Sequence, residues 1–162
     1  MTGRRADDWP ARRYNRAFPA IRISSAMNNK PFLTLDDART IAMAAQAEAQ
    51  RNGWAVTISI VDDGGHLLWL QRLDGAAPIS SYISPEKART AALGRRDSKS
   101  YEDMINAGRY SFLSAPRLEA MLEGGVPIVV DGHCIGAVGV SGVKSSEDVQ
   151  IAQAGIAALK TS

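Results

Sequence analysis

The two histidines are the only imidazole side chains in this chain of 162 residues, and each follows a tight turn. His66 comes directly after residues 62–65, with the sequence Asp-Asp-Gly-Gly, and His133 comes after Asp131 and Gly132. Neutral imidazole is the commonest metal ligand in proteins, so His66 is the first candidate for holding a metal. The competing interpretation, for both residues, is a solvent-exposed histidine at a turn.

Basic residues cluster on a stretch that we expect to be helical, at Lys87, Arg89, Arg95 and Arg96. Pro85 is tolerated only in a first turn, so we predict that the main helix begins near Ser84, with Ser84 as its N-cap. Lys87 would then lie where the helix dipole and the nearby cations together favour an anion such as a small carboxylate. The alternative is a solvated basic face of the helix.

Glycines recur in an apolar run near the end of the chain, at positions 136, 139 and 142. Glycine weakens a strand and usually marks a place where another backbone, a helix or a ligand comes very close. If this strand, the turn before His66 and the start of the basic helix converge, they form a pocket with an apolar floor and a cationic rim. The candidate ligand-binding residues are therefore His66, Lys87, Arg95, Gly136 and Gly139.

Two β-hairpins are the elements that must position these side chains. Asp131 and Gly132 supply the two positive-φ positions of a type I′ turn inside the apolar stretch 124–142. A second hairpin spans residues 55–72 around the turn at 62–65, and its first strand alternates between apolar and polar residues. Hairpins pair their own strands antiparallel, so the sheet should be largely antiparallel.

Residues 67–70 are apolar on both faces of their predicted strand, with the sequence Leu-Leu-Trp-Leu. Such a strand needs cover from a helix on one side and from a partner chain or a ligand on the other. A domain of this size offers little to cover the second face. We therefore predict a homo-oligomer.

Helices precede and follow each hairpin. Thr34 with Asp37 matches a capping box before the helix formers 38–51, and Ser145 is the predicted N-cap of a last helix that runs to about Leu159. The stretch from Ser98 to Asn106 is a further short helix, whereas residues 109–123 read as a lid-like loop. The order helix, hairpin, helices, hairpin, helix predicts an α+β fold with helices packed on the sheet.

Net charge separates an N-terminal extension from the body. Residues 1–26 carry six arginines against two aspartates, a net charge of +4, and the remainder has 13 Lys and Arg against 15 Asp and Glu, a net charge of −2. The body thus lacks the basic surface of a nucleic-acid binder. The chain has no apolar run of about 18 residues that could span a membrane. The single cysteine excludes an internal disulfide and fits the reducing cytosol, so we expect a cytoplasmic protein.

The extension has no sustained hydrophobic period, and we predict that residues 1–29 are disordered and that residues 30–162 form one domain. An Arg-rich start is also compatible with a transit peptide. A further alternative is that Met27 is the natural first residue.

With these elements in place, the body resembles the GlcG/HbpS family of haem-binding or haem-degrading proteins, which is related to the C-terminal domain of PduO. The resemblance extends from about Leu33 to Leu159. It rests on segments in the same order and spacing as in that family, namely 33–38 (LTLDDA), 61–67 (VDDGGHL), 72–76 (RLDGA), 87–91 (KARTA), 124–128 (GGVPI) and 136–142 (GAVGVSG).

The resemblance implies a profilin-like fold, with a mostly antiparallel sheet of about five strands flanked by helices, and homo-oligomers. It also implies haem binding, with oxidative turnover of haem or redox sensing as associated roles. A haem site needs an axial ligand for its iron, and from the residue types His66 is the candidate, with a phenolate of Tyr82, Tyr101 or Tyr110 as the alternative. The sequence leaves a second function open, an accessory enzyme or binder for a small carboxylate or carbonyl compound in a catabolic pathway, because the turn before His66 resembles that of catabolic members.

Overall fold

The computed structural model describes residues 29–159, so most of the predicted N-terminal extension lies outside the described residues. The elements, in chain order, are α1 (Leu35–Arg51), β1 (Thr57–Asp62), β2 (Leu67–Arg72), α2 (Ser80–Gly94), α3 (Lys99–Asn106), a 3₁₀ turn (Tyr110–Ser114), β3 (Gly125–Val130), β4 (His133–Ser141) and α4 (Ser145–Ile156). Apart from the 3₁₀ turn, residues 109–123 are irregular, as the sequence predicts for that loop. No helix within residues 29–159 is long and apolar enough to cross a membrane.

Helix α1 begins where the sequence predicts. The Thr34 hydroxyl accepts a hydrogen bond from the Asp37 amide at 3.2 Å, and the Thr34 amide donates to the Asp37 carboxylate at 2.9 Å. This reciprocal pair satisfies two of the amides that the start of a helix leaves unpaired. The Thr34 hydroxyl also donates to the Asp37 carboxylate at 2.6 Å, and this bond, together with that from the Thr34 amide, lowers the pKa of the Asp37 carboxyl. The predicted capping box is confirmed.

The sheet has the order β2-β1-β4-β3, and every pair is antiparallel. Both predicted hairpins are confirmed, and Asp131 and Gly132 take φ values of 49° and 76°, as a type I′ turn requires. The α+β class is also confirmed. Within residues 29–159 the sheet has four strands, so the expectation of about five is wrong by one.

The two faces of the sheet are covered differently. Ile58 and Ile60 point to the side of α1 and α4, where the main apolar core lies. Thr57 and Ser59 point to α2 and contact hydroxyls there, because Thr57 Oγ1 lies 2.6 Å from Ser80 Oγ and Ser84 Oγ donates to Ser59 Oγ at 2.8 Å. Helix α2 is therefore held by buried hydroxyl contacts as well as by a small apolar cluster that includes Val61, Ala88 and Ala137, whereas α1 and α4 pack mainly through apolar side chains.

Two helix starts differ from the prediction. Helix α2 begins at Ser80 and continues through Pro85, so Ser84 is not its N-cap but a buried residue that also donates to the Gly139 carbonyl at 2.8 Å. Pro85 is the sixth residue of the helix, so the helix continues without the hydrogen bond that an amide at this position would donate to the Ser81 carbonyl. Helix α4 takes Ser145 as its first residue and Lys144 as its N-cap, one residue earlier than expected, and it ends at Ile156.

Candidate functional site

One end of the sheet brings together the features that carry chemistry, and we call it the turn end. It comprises the β1–β2 turn at residues 62–66, the β3–β4 turn at 131–133, the end of α2 at 94–95, and Lys30. The antiparallel pairing of Asp62 with Gly136 places both turns at this end. Arg89 Nε donates to the Gly65 carbonyl at 3.3 Å and ties the last turns of α2 to it.

His66 lies at the turn end with its side chain 80% exposed. Its Nδ1 is 3.1 Å from both carboxylate oxygens of Asp62, whose Oδ1 also accepts from the amides of Gly64 at 2.9 Å and His66 at 2.8 Å. A carboxylate next to Nδ1 keeps the proton of a neutral imidazole on that nitrogen and leaves Nε2 with a free lone pair. His66 therefore combines the turn position expected for an exposed histidine with the arrangement of a metal-ligating one.

Arg95 lies at the same end, as the residue that follows α2. Its backbone is left-handed, with φ 52° and ψ 37°. Arg95 lines a cavity of about 300 Å³ together with Lys30, Val129, Gly132, His133 and Cys134. Lys30 forms an ion pair with Asp63, and the hydrogen bond from Lys30 is the main reason why the pKa of the Asp63 carboxyl is lowered.

Lys87 lies elsewhere, in the middle of α2, and is 4% exposed. Its Nζ donates to the Asp148 carboxylate at 2.8 Å and to the Val140 carbonyl at 3.1 Å. Burial raises the pKa of the Asp148 carboxyl, and the hydrogen bond from Lys87 opposes this shift. Lys87 thus joins α2 to α4 inside the protein, in neither the anion site nor the solvated face that its sequence position suggests.

The two candidate glycines are packed against protein. A Cβ at Gly139 would lie 2.5 Å from the Ala88 amide nitrogen and closer still to the Ser84 carbonyl, both in α2. A Cβ at Gly136 would meet the Val61 carbonyl, and it would lie 3.1 Å from Leu33 Cδ2. Of the alternatives offered by the sequence, the close approach of a helix accounts for Gly139, and the neighbouring strand β1 and Leu33 account for Gly136.

The turn end therefore unites His66 and Arg95 from the predicted set, and it separates them from Lys87 and Gly139. It adds Lys30 and His133 to the cavity beside Arg95. Lys30 and Asp63 are 33 residues apart in the sequence, so no local sequence pattern could have predicted their contact. No cluster of three or more His, Cys, Asp or Glu side chains that could hold a metal ion occurs in the part of the chain from residue 29 to residue 159.

Comparison with known proteins agrees with this architecture. Residues 33–157 match the family model described as haem degrading protein HbpS-like. The chain is 60% identical over 115 residues to protein GlcG of Escherichia coli K12. The aligned residues cover 71% of this chain and 85% of GlcG.

Two solved structures are also similar. The crystal structure of HbpS superposes with a TM-score of 0.77 at 30% identity, covering 83% of this chain and 95% of that one. The crystal structure of a PduOC:heme complex gives a TM-score of 0.73 at 31% identity, covering 80% and 96%. The match to the family model covers most of the chain, and both the fold and the sequence identities agree with it. This protein therefore belongs to the HbpS-like family.

Proposed function

We propose that this protein binds haem at the turn end, with His66 as the axial ligand of the iron. The observation that carries the proposal is the similarity in fold and sequence to a relative whose structure is a complex with heme. When bound, haem supplies an iron centre capable of redox chemistry, with properties that depend on its axial ligand. Oxidative turnover of haem and redox sensing are the two roles that such a centre would serve here.

The residues at the turn end fit this group. The Asp62 carboxylate holds His66 Nδ1, which leaves Nε2 as the nitrogen for iron. Leu67 follows His66 and is 50% exposed, and Leu93 of α2 lies against the turn, within 3.5 Å of the position of a Cβ at Gly65. Exposed leucines next to an accessible imidazole supply the apolar contact that the macrocycle requires.

Titration of the purified protein with hemin tests the ligand. We expect a Soret band with the visible bands of a histidine-ligated iron, and we expect His66→Ala to shift those bands because it changes the atom bound to iron. Tyr82→Phe is the matched variant, since Tyr82 is an exposed phenol on α2, and it should leave the spectrum unchanged. The same sample followed over time with ascorbate and oxygen reports turnover, because cleavage of the macrocycle abolishes the band.

An unchanged spectrum in His66→Ala would place the ligand elsewhere, and a shift in Tyr82→Phe alone would assign it to the phenolate. If wild-type protein gives no specific Soret band, the haem proposal itself is wrong.

We also propose that the protein self-associates through the β2 surface, which we define as Leu70 and Tyr82 and which excludes the two leucines assigned to haem. Leu70 pairs with Ser59 and so shares the α2 face of the sheet, where it stays 41% exposed. Tyr82 lies on α2 and is 74% exposed. Strand β2 is an edge of the sheet, so a further chain can cover both its apolar side chains and its free backbone groups.

Light scattering at micromolar concentration should therefore give a mass well above that of one chain. Leu70→Lys should lower the mass, because it places a charge in the covered surface. Met43→Lys changes a somewhat more exposed apolar side chain on α1 and should leave the mass unaltered. A monomeric wild-type protein, or equal effects of the two variants, would contradict the proposal.

A further inference from the structure

Arg95 occupies a backbone conformation that its side chain disfavours. The residue ends α2 with φ 52° and ψ 37°, in the left-handed region. Helices commonly end in this conformation, but glycine is the usual residue because a Cβ is strained there. A non-glycine residue held in such a conformation is often kept for what its side chain does.

The side chain of Arg95 lines the cavity of about 300 Å³ at the turn end. Among residues 29–159, no carboxylate forms an ion pair with Arg95, whereas the other cation of the cavity, Lys30, is paired with Asp63. Asp63 is close enough for the charge of Arg95 to help lower its pKa, although the hydrogen bond from Lys30 contributes most. The cavity thus presents one guanidinium whose hydrogen-bond donors no carboxylate of residues 29–159 occupies. A guanidinium binds a carboxylate through two parallel hydrogen bonds.

The rest of the cavity suits the same ligand. His133 brings a ring nitrogen that can donate, and Val129 brings an exposed apolar wall. The negative end of α2 is partly neutralised, because the carbonyls of Ala92 and Ala91 accept from the amides of Arg95 and Arg96, each at 3.3 Å. A carboxylate at the mouth would therefore meet donors rather than bare carbonyls.

We propose that this cavity is a carboxylate-binding site in which Arg95 is the principal cation and Lys30 and His133 assist. A haem propionate and a free small carboxylic acid share this chemistry. Binding of a propionate at this cavity rests on the haem proposal. Binding of a free carboxylic acid does not depend on it. The two sources are separated by the choice of probe.

Arg95→Gly tests the site with opposite effects on folding and binding. Glycine removes the strain, so we expect the melting temperature to rise by about 2–4 °C. Binding of a carboxylate should fall by about 10- to 100-fold, the loss expected for a charge-assisted contact. Arg96→Ala removes the same charge from the next residue, which does not line the cavity, and should leave binding unchanged.

The probes are succinate, measured by calorimetry, and hemin compared with hemin dimethyl ester, measured by titration of the Soret band. Succinate binding that is lost in Arg95→Gly identifies a free carboxylate. A preference for hemin over its ester that is lost in Arg95→Gly, with the position of the band unchanged, identifies a propionate.

The proposal is overturned if Arg95→Gly binds both acids as tightly as wild type, if Arg96→Ala causes an equal loss, or if wild type neither binds succinate nor discriminates between hemin and its ester. A lower melting temperature for Arg95→Gly would overturn it too, because Arg95 would then be retained for stability. Histidine ligation of hemin that persists without discrimination would leave the haem proposal intact while this one fails.

Discussion

Lys87→Met is expected to lower the free energy of unfolding by about 3–5 kcal/mol, because it leaves the carboxylate of Asp148 buried without its cation. The Nζ–Oδ2 distance is 2.8 Å, and both side chains are almost fully buried. A buried charge without a partner costs far more than the pair itself contributes. Urea denaturation followed by circular dichroism measures the loss.

The pH dependence of this loss identifies its cause. Burial raises the pKa of Asp148, so the folded protein binds a proton more readily than the unfolded chain, and stability from this group falls as pH rises above its ordinary pKa of 3.8. Without Lys87 the pKa of Asp148 rises further. The deficit of Lys87→Met should therefore be largest near neutral pH and should shrink as pH is lowered towards 4.

Two further variants serve as controls for Lys87→Met. Lys99 forms an exposed pair with Asp103 at 3.2 Å, so Lys99→Met should cost far less stability than Lys87→Met. The double variant Lys87→Met/Asp148→Leu should recover much of the loss, because it removes both charges. A Lys87→Met protein as stable as Lys99→Met would show that water reaches the Asp148 carboxylate.

Gly139→Ala is expected to cost more than about 4 kcal/mol or to prevent folding. The new Cβ would lie 2.5 Å from the Ala88 amide nitrogen and would also clash with the Ser84 carbonyl. Both contacts are with helix backbone, so no side chain can rotate away. Strand β4 and helix α2 would have to separate, and the hydrogen bond from Ser84 to Gly139 would break.

Gly53→Ala separates steric contact from backbone conformation. A Cβ at Gly53 would have no atom within 4 Å, but the residue has φ +69°, so this variant should lose only about 1–2 kcal/mol. Thermal unfolding of the two variants gives the comparison. Equal losses would mean that α2 moves away from β4 at little cost.

Features that depend on neighbouring residues were predictable from the sequence. The capping box of α1 links residues only three apart, and the turn at Asp131 and Gly132 is set by the conformations that those two residues tolerate. Alternating polarity in β1 identified the residues that face the apolar core. The family resemblance added the expectation of haem, and Arg95 was selected by its charge.

The role of Lys87 could not be predicted, because its partner Asp148 is 61 residues away and both residue types are normally exposed. The error had a second source at Pro85. Taking Pro85 as a first-turn residue placed the predicted start of α2 near Ser84, whereas the helix already begins at Ser80. This start put Lys87 in the first turn of the helix, a position that suggested a bound anionic ligand. The anion that Lys87 contacts is instead the Asp148 side chain of the protein itself.

The strand order has a consequence for how the chain folds. Each hairpin joins strands that are close in sequence, but β1 and β4, which unite the two hairpins, are separated by β2, α2, α3 and β3. Closing so long a loop lowers the entropy of the chain before any stabilising contact between the two strands has formed. Pairing of β1 with β4 should therefore limit the folding rate. Helix α2 docks across both strands through Ser59 and Gly139, and it can reach its final position only after they have met. The turn end is complete only at that moment, so a ligand bound there would slow unfolding of the native protein without accelerating its folding.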